Sequence, residues 1–445
     1  MKRWKIVFDN YSKAVEILYA AVQPNLPYVL VCDNCRDDTF NTIYIGTSPD
    51  REGFSVNVSE ADGENQDIRI TAADETMLMY AAHEFKNVYL PFAAFKAHDP
   101  VIAFYNNRLF EKPMPAFEYA TKPRIKKRGL WTWGHTVYDY KKYIDNMVRL
   151  KFNTLIVWND YVPINIDDVI SYAHQNGIEI YLGFAWGWST TCGDTDISDT
   201  RALTEAVVEK YRSEYASVKC DGIYFQSFTE LHSSAIDGIS VADAVIEFVN
   251  RTADEIYKIT PHVKLLFGLH ASSVKNDIDK FKRIDERISI IWEDLGAFPY
   301  HDSPYRLKEY DETKELNKKI QSLRDGGFGA VLKSNYRLDW NSFEHQRGRY
   351  IMGVSDKRFL RQKLEEKKPL LKNLQAGWIK NTKYAHELIK DLDENALITV
   401  LAEDGAFDES ISYPVALYSE MLWDSERSTD DIMQTVAQMT DVDFA

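Results

Sequence analysis

The sequence predicts an α/β protein, a (β/α)8 TIM barrel preceded by a smaller α+β domain. From Arg128 onward, short apolar runs alternate with helical segments, which is typical of a parallel sheet. The runs are nearly continuous, as expected for strands buried on both faces. Eight such units favour a closed barrel over an open sheet. We expect its strands at 129–133, 154–158, 178–184, 222–226, 264–268, 288–292, 329–333 and 397–401.

Helices are expected between these strands and in a separate N-terminal domain. The barrel helices are predicted at 139–150, 165–176, 199–216, 240–258, 276–286, 311–325 and as a long pair across 356–392. Residues 1–122 read as an α+β domain, with a helix at 12–22, several alternating strands and a helix at 76–89 that covers one face of a small sheet. Residues 123–445 are then the barrel with C-terminal helices.

Composition narrows the possible partners. A formal net charge of −15 argues against nucleic acid, because phosphate binding relies on clustered Lys and Arg. No stretch is long and apolar enough for a membrane span, and the first residues lack a secretory pattern. We therefore expect a cytoplasmic protein with no membrane partner. The oligomeric state is not readable from the sequence.

The sequence gives no reason to expect a cofactor or a metal site. Cys32 and Cys35 form a CxxC motif, but no second ligand pair lies at zinc-finger spacing and a turn follows the motif. We expect these two to be unrelated reduced thiols. The histidines likewise match no compact metal-binding spacing.

Tryptophans and carboxylates dominate the predicted strand ends, where the functional groups of a barrel lie. Tryptophan rings stack on the apolar faces of sugars. Seven of the ten tryptophans lie in or just beyond the ends of the predicted strands: Trp131, Trp133, Trp158, Trp186, Trp188, Trp292 and Trp340. Some of them are equally compatible with a simple core role, but their shared bias to one end favours a carbohydrate ligand.

Glycosidic bonds are cleaved by paired carboxylates, and the strand ends offer several. Glu230 follows the fourth strand and is the best candidate for the general acid. Glu293 and Asp294 follow the sixth strand, where either would act as base or nucleophile. The pair Glu403 and Asp404, after the eighth strand, is a further candidate. A solvated loop position for Glu230 remains an alternative.

Several segments resemble the β-N-acetylhexosaminidases (family 20) and the α-glucuronidases (family 67). The matching motifs are Thr42-Ile-Tyr-Ile-Gly46, Ile68-Arg-Ile-Thr-Ala72 with Tyr80-Ala-Ala82, Lys127-Arg-Gly-Leu130, Asn153-Thr-Leu-Ile-Val-Trp-Asn-Asp160 and Tyr172-Ala-His-Gln-Asn-Gly177. The resemblance implies an exo-acting glycoside hydrolase, in which Arg128 grips the terminal sugar. With this arginine and the polar and aromatic residues at the predicted strand ends taken together, we expect the substrate-binding residues to be Arg128, Trp133, Asp160, Trp186, Thr229, His270, Trp292 and Tyr336.

One departure from the family-20 pattern keeps alternatives open. That family places an Asp-Glu pair after the fourth strand, and here the pair reads Thr229-Glu230. The acid is retained, whereas the carboxylate that positions the substrate acetamido group is missing. An inverting, α-glucuronidase-like hydrolase is therefore a rival, with Lys333 and Arg337 suited to a uronate carboxylate. A non-catalytic carbohydrate-binding barrel is the second alternative.

Overall fold

The computed structural model describes most of the chain and divides it into two compact units. Described are residues 3–26, 28–33, 39–96, 109–133, 136–187, 198–231, 233–271, 273–293, 307–335, 348–354, 356–402 and 413–440. The first unit comprises Met1–Pro123, Val148–Lys151 and Ala437–Ala445. The second comprises Arg124–Met147 and Phe152–Val436. The sequence boundary at residue 122 assigned the two short segments of the first unit to the barrel.

The first unit is built on a mixed six-stranded sheet. Its strands are β1 (Arg3–Phe8), β2 (Val29–Asp33), β3 (Phe40–Thr47), β4 (Phe54–Val58), β5 (Asp67–Ala72) and β6 (Phe117–Thr121), in the order β2-β1-β3-β5-β4-β6. Its helices are Lys13–Val22, Glu75–Glu84 and Leu90–Lys96, with shorter helical turns at Gln23–Asn25, Phe85–Tyr89 and Leu109–Glu111. The sequence reading missed β1 and β6, and in β1 the charged residues Arg3 and Lys5 interrupt the apolar run.

The second unit is a closed barrel of eight parallel strands, as predicted. They are β7 (Lys127–Trp133), β8 (Thr154–Trp158), β9 (Glu179–Ala185), β10 (Gly222–Gln226), β13 (Lys264–Leu269), β14 (Ile288–Trp292), β15 (Phe328–Asn335) and β16 (Leu397–Ala402). The order around the barrel is β10-β13-β14-β15-β16-β7-β8-β9. A short hairpin of β11 (Ala235–Ile236) and β12 (Ile239–Ser240) follows β10. The predicted fold class is confirmed.

The helices of this unit follow the predicted alternation, with two corrections. They are Tyr140–Arg149, Ile166–Gln175, Thr200–Lys210 with a π turn at Tyr211–Tyr215, Val241–Ile259, Leu307–Gln321, Lys357–Lys390, Tyr413–Trp423 and Thr429–Thr440. The segment predicted as a helix at 276–286 is instead the 3-10 helix Lys275–Arg283, and its Asn and Asp residues have a low α-helix propensity. The predicted pair across 356–392 is one helix that continues through Pro369, although proline usually ends or kinks a helix.

The barrel interior is filled by side chains from every strand. Because side chains alternate along a strand, every second residue points inward. A buried cluster of such residues forms the core: Trp131, Ile156, Trp158, Tyr181, Tyr224, Leu266, Ile291, Val331, Leu397 and Leu401. The same alternation determines which side chains at the carboxyl ends of the strands point into the mouth of the barrel.

The cysteines require a correction. Cys32 is disulfide-bonded, so the expectation of a reduced thiol is wrong at this position. The sequence reasoning tested only a zinc site and a redox helix, and did not consider a structural disulfide. Cys35 lies outside the described residues, and Cys220 is a free thiol. In the described part of the chain, none of the helices has the length and apolar character that a membrane crossing requires.

One histidine of the first unit is held in its neutral form. His83 lies on the helix Glu75–Glu84, and its pKa is lowered to about 3 by burial and, to a lesser extent, by nearby cations, first among them Arg149. The ring nitrogen Nδ1 has no hydrogen-bond partner among the described residues. Next to it, Glu84 forms a buried ion pair with Lys151 at 3.2 Å. His83 is only half-buried as a whole, but a proton on its inaccessible Nδ1 would add a charge without a partner among nearby cations.

We expect His83 to make the protein sensitive to mild acid. The unfolded chain takes up a proton at this residue near pH 6.5, whereas the folded chain does so only near pH 3. The contribution of neutral His83 to stability is therefore fully present above pH 6.5 and is lost progressively as the pH falls toward 3. Between pH 7 and 5, His83 should lower the free energy of unfolding by about 2 kcal/mol. Urea unfolding at several pH values measures this.

The variant His83→Leu should show a shallower loss of stability over this range. The control His262→Gln, which changes an exposed histidine, should keep the slope of the wild type. Equal slopes for His83→Leu and the wild type would contradict this role of burial.

Candidate active site

Three neighbouring strands bring the chemical groups of the barrel mouth together. β10, β13 and β14 are adjacent, and Tyr224, Leu266 and Ile291 on them point into the core. Two residues further along each strand, the inward positions are Gln226, Gly268 and Glu293. The site is thus a continuation of the core packing, in which polar residues replace the apolar ones at the carboxyl ends of the strands.

Glu293 is the buried centre of this arrangement. Its side chain is 0% exposed. The hydroxyl of Tyr224 donates a hydrogen bond to one carboxylate oxygen, and the amide of Gln226 donates to the other. His270 Nε2 lies 2.7 Å from Glu293 Oε2. A buried carboxylate is tolerated only when donors replace its water shell, and here three side chains do so.

His270 lies between two carboxylates of different exposure. Besides its contact with Glu293, its Nε2 lies 3.8 Å from Glu230 Oε2, which is within ion-pair distance but too long for a hydrogen bond. The Glu230 side chain is 55% exposed, so a ligand at the barrel mouth can reach it. Of the two glutamates, Glu230 is therefore the one that is open to a substrate.

Thr229 holds the backbone of His270 in place. Its side chain is fully buried, and its hydroxyl accepts a hydrogen bond of 3.1 Å from the backbone N–H of His270. Its carbonyl oxygen accepts hydrogen bonds from the side chain and the backbone of Ser273. The substrate contact that the sequence assigned to Thr229 stays a prediction, and this placement does not favour it.

Two of the tryptophans expected to bind sugar face away from the mouth. Trp292 follows the inward Ile291, so its fully buried side chain points outward toward the helices. Trp186 is also fully buried and stacks on Phe225, with ring centroids 3.6 Å apart. Neither ring offers a surface to a ligand in this arrangement. The side chain of Trp133 lies outside the described part of the structure.

Two other aromatic rings occupy the floor beneath the carboxylates. Trp131 and Trp158 belong to the interior cluster and lie within 5.6 and 5.9 Å, centroid to centroid, of the Tyr224 ring. They support the tyrosine whose hydroxyl holds Glu293. The sequence grouped them with the sugar-stacking residues, and the structure gives them this packing role.

Arg128 lies at the opposite end of the barrel from Glu230. It is at the amino end of β7, where its guanidinium donates hydrogen bonds to the carbonyl oxygens of Ile125 and Lys126 at 2.6 and 3.1 Å. The same group lies 5.0 Å above the Trp423 ring. Its role in gripping a sugar stays a prediction that this placement does not favour.

Asp160 does lie at the expected face, directly after β8. It is partly exposed, and its Oδ1 is 4.0 Å from Lys210 Nζ. Of the remaining predicted site residues, Asp294, Tyr336, Glu403, Asp404 and Arg337 lie outside the described residues, as does the side chain of Lys333. Among the side chains that are described, no group of three His, Cys, Asp or Glu is arranged to hold a metal ion.

Sequence reasoning missed three residues of the site: Tyr224, Gln226 and Gly268. The alternation of inward positions along β10 would have identified the first two. Gly268 has a different role, because a Cβ atom there would overlap the Glu293 carboxylate and lie 2.5 Å from the Tyr224 hydroxyl. The glycine therefore leaves the space in which the buried carboxylate sits.

Comparisons with known proteins show the fold. No protein-family model and no curated protein sequence matches the chain. The GH20 β-N-acetylhexosaminidase from Streptomyces coelicolor A3(2) is 10% identical, with a TM-score of 0.53 over 98% of this chain and 90% of that one. A mutant Streptomyces plicatus β-hexosaminidase, in complex with product (GlcNAc), is 11% identical, with a TM-score of 0.50 over 100% and 93%.

A GH138 enzyme targeting pectin rhamnogalacturonan II is also similar. It is 13% identical, with a TM-score of 0.49 over 96% of this chain. The chain spans about half, 52%, of the length of that enzyme. The two hexosaminidases are similar to this chain in fold, and at such low identity the similarity extends no further.

We expect Gly268→Ala to destabilise the barrel by about 2 kcal/mol or more, because the methyl group displaces Glu293 from its donors. Urea unfolding measures the loss. Gly63→Ala is a suitable control, since Gly63 has open space around it and only a positive φ of 61°. It should cost about 1 kcal/mol. A Gly268→Ala variant as stable as the wild type would contradict the close packing around Glu293.

Proposed function

We propose that this protein is an exo-acting glycoside hydrolase in which Glu230 is the general acid. The observation that carries the proposal is the row Glu293, His270 and Glu230, which joins a buried carboxylate to an exposed one at the carboxyl end of the barrel. A glycosidase acid must reach the leaving oxygen and be held in position, and this row supplies both properties.

Glu293 is better suited to hold His270 than to attack a sugar. Both of its oxygens already accept hydrogen bonds, and neither is exposed to solvent. Glu230 and Glu293 both contact His270 Nε2, so their oxygens cannot be further apart than the two contact distances together. Inverting carboxylate pairs are usually separated by about 6.5 to 9.5 Å. At that limit the two glutamates only just reach the separation of an inverting pair, and because the Glu293 side chain is not exposed, we assign the base or nucleophile to Asp294.

The choice of sugar is a finer part of the proposal. A β-N-acetylhexosaminidase-like activity would require a carboxylate near the substrate acetamido group, and the residue before Glu230 is Thr229, which has no carboxylate and whose side chain is fully buried. An inverting, α-glucuronidase-like activity remains the alternative, with Asp294 as base. The second alternative is a non-catalytic carbohydrate-binding barrel, which would bind glycosides without cleaving them.

Replacement of Glu230 tests the proposed acid. We expect Glu230→Gln to lower kcat/KM about 10²- to 10⁴-fold on a glycoside with a poor leaving group, because the departing oxygen then receives no proton. A dinitrophenyl glycoside needs no such proton and should lose much less. The test uses aryl β-N-acetylglucosaminides and aryl α-glucuronides. The exposed control Glu286→Gln should match the wild type on both.

Two results would contradict the assignment of Glu230. One is an equal loss on good and poor leaving groups, which would mean that the residue does not donate the proton. The other is a wild-type protein that cleaves none of these glycosides although it binds them, which would favour the binding barrel.

A second prediction concerns His270. We expect His270→Ala to lower kcat on the order of 10- to 100-fold with a smaller change in KM, because Glu230 loses the group that orients it. The control His174→Ala removes a histidine that pairs with Asp221, 2.9 Å away, before the start of β10. It should keep the activity of the wild type. A change confined to KM would mean that His270 acts only in binding.

A further inference from the structure

The helix Lys357–Lys390 has a charge opposite to that of the whole chain. It contains ten Lys and Arg and three Glu, a net charge of +7 within a chain whose net charge is −15. Positive charge that is concentrated on one helix indicates an anionic partner. Charge distributed evenly over the surface would serve solubility alone.

Four of these cations form a stripe on one face of the helix. Lys357, Arg361, Lys368 and Lys372 are spaced by four, seven and four residues, which places them within about 60° of one another around the axis. All four are exposed. We call this set the cationic stripe. Its length along the helix is about 22 Å, so it suits an extended polymer better than a single sugar.

The stripe is largely free of internal partners. Lys368 pairs with Glu365 at 2.9 Å. In the part of the chain that the structure describes, Lys357, Arg361 and Lys372 form no ion pair. Three exposed cations without an ion-pair partner on one face are available to an anionic ligand.

The helix begins at the catalytic face of the barrel. Asp356 caps it by accepting hydrogen bonds from the backbone N–H groups of Arg358 and Phe359. The Phe359 ring packs against Tyr138, with centroids 5.8 Å apart. Just before the helix, Met352 exchanges hydrogen bonds of 2.8 and 3.0 Å with the side chain of Asn165. Tyr138 and Asn165 follow the carboxyl ends of β7 and β8, the end of the barrel that carries Glu230.

We propose that the cationic stripe binds an anionic glycan, one with carboxylates or sulfates along its length. This inference rests on the proposed function, since it names the substrate class of the same site. A polymer held on the stripe would be brought to the barrel face at which Glu230 acts on its terminal sugar. A glycan is favoured over nucleic acid because the stripe is an isolated cationic strip on an acidic protein.

The test measures binding of the full chain to polygalacturonate, a polymer of uronate residues, by calorimetry. The stripe variant replaces Lys357, Arg361, Lys368 and Lys372 by Gln. We expect its affinity to be at least roughly tenfold lower than that of the wild type, and wild-type binding to weaken as ionic strength rises from about 0.05 to about 0.3 M. Neutral dextran should not bind.

Two control variants isolate the position of the charges. Exchanging the residues of the stripe between Lys and Arg keeps the charge and should keep binding. Replacing Lys219, Lys258, Lys282 and Lys318 by Gln removes the same number of exposed cations from other surfaces, and should change the affinity less than about twofold. Thermal melting checks that each variant is folded. If the fourfold Gln variant is unstable, the single substitutions Lys357→Gln, Arg361→Gln and Lys372→Gln test the stripe, because each should weaken binding and a set that binds like the wild type would overturn the proposal.

Three results would overturn the proposal: an equal affinity of the stripe variant and the wild type, an equal loss in the second control, or tighter binding of a single-stranded DNA oligonucleotide than of polygalacturonate. Glu230→Gln separates the two proposals, because it should bind polygalacturonate like the wild type. Binding without cleavage of any glycoside would overturn the proposed function alone. Cleavage of aryl glycosides without binding of polygalacturonate would overturn the stripe alone.

Discussion

A carboxylate buried at the mouth of a barrel loses its hydration at a large cost in free energy. In the candidate site, hydrogen-bond donors from neighbouring strands offset that cost. Glu293 is stable in this position because Tyr224, Gln226 and His270 replace its water shell. Each donor depends on further packing: the tyrosine rests on the tryptophans of the barrel core, and Gly268 leaves the necessary space. The orientation of His270, and through it of Glu230, follows from this one buried charge.

The same constraint gives the two glutamates different exposure and different contacts. A carboxylate whose oxygens are all engaged is rigid, and rigidity suits a group that holds another side chain. A carboxylate at the edge of the mouth is free to meet a ligand, which suits proton transfer. The fold assigns these properties through the strands: Glu293 continues an inward row of β14, whereas Glu230 lies four residues beyond the end of β10.

Much of the fold followed from the sequence, because buried parallel strands leave a strong and local pattern. All eight barrel strands were predicted, while β1 was hidden by Arg3 and Lys5 in its run. The site was only partly predictable. Glu230, Glu293 and His270 were proposed from the strand ends and lie close together in the structure, but the direction of each side chain depends on strand register, which the composition of a loop does not reveal. For this reason the outward Trp186 and Trp292 were expected in the mouth, and Tyr224 was overlooked.

The alternation along β14 has a consequence for how this protein can change over evolutionary time. Trp292 and Glu293 are consecutive residues whose side chains point in opposite directions. The tryptophan points toward the helices and the glutamate into the mouth. Deletion of a single codon within this strand would exchange them, placing a carboxylate against an apolar layer and an indole among the hydrogen-bond donors. Substitutions elsewhere can accumulate gradually, but the length of β14 is fixed to the residue, and insertions should be confined to the loops on either side.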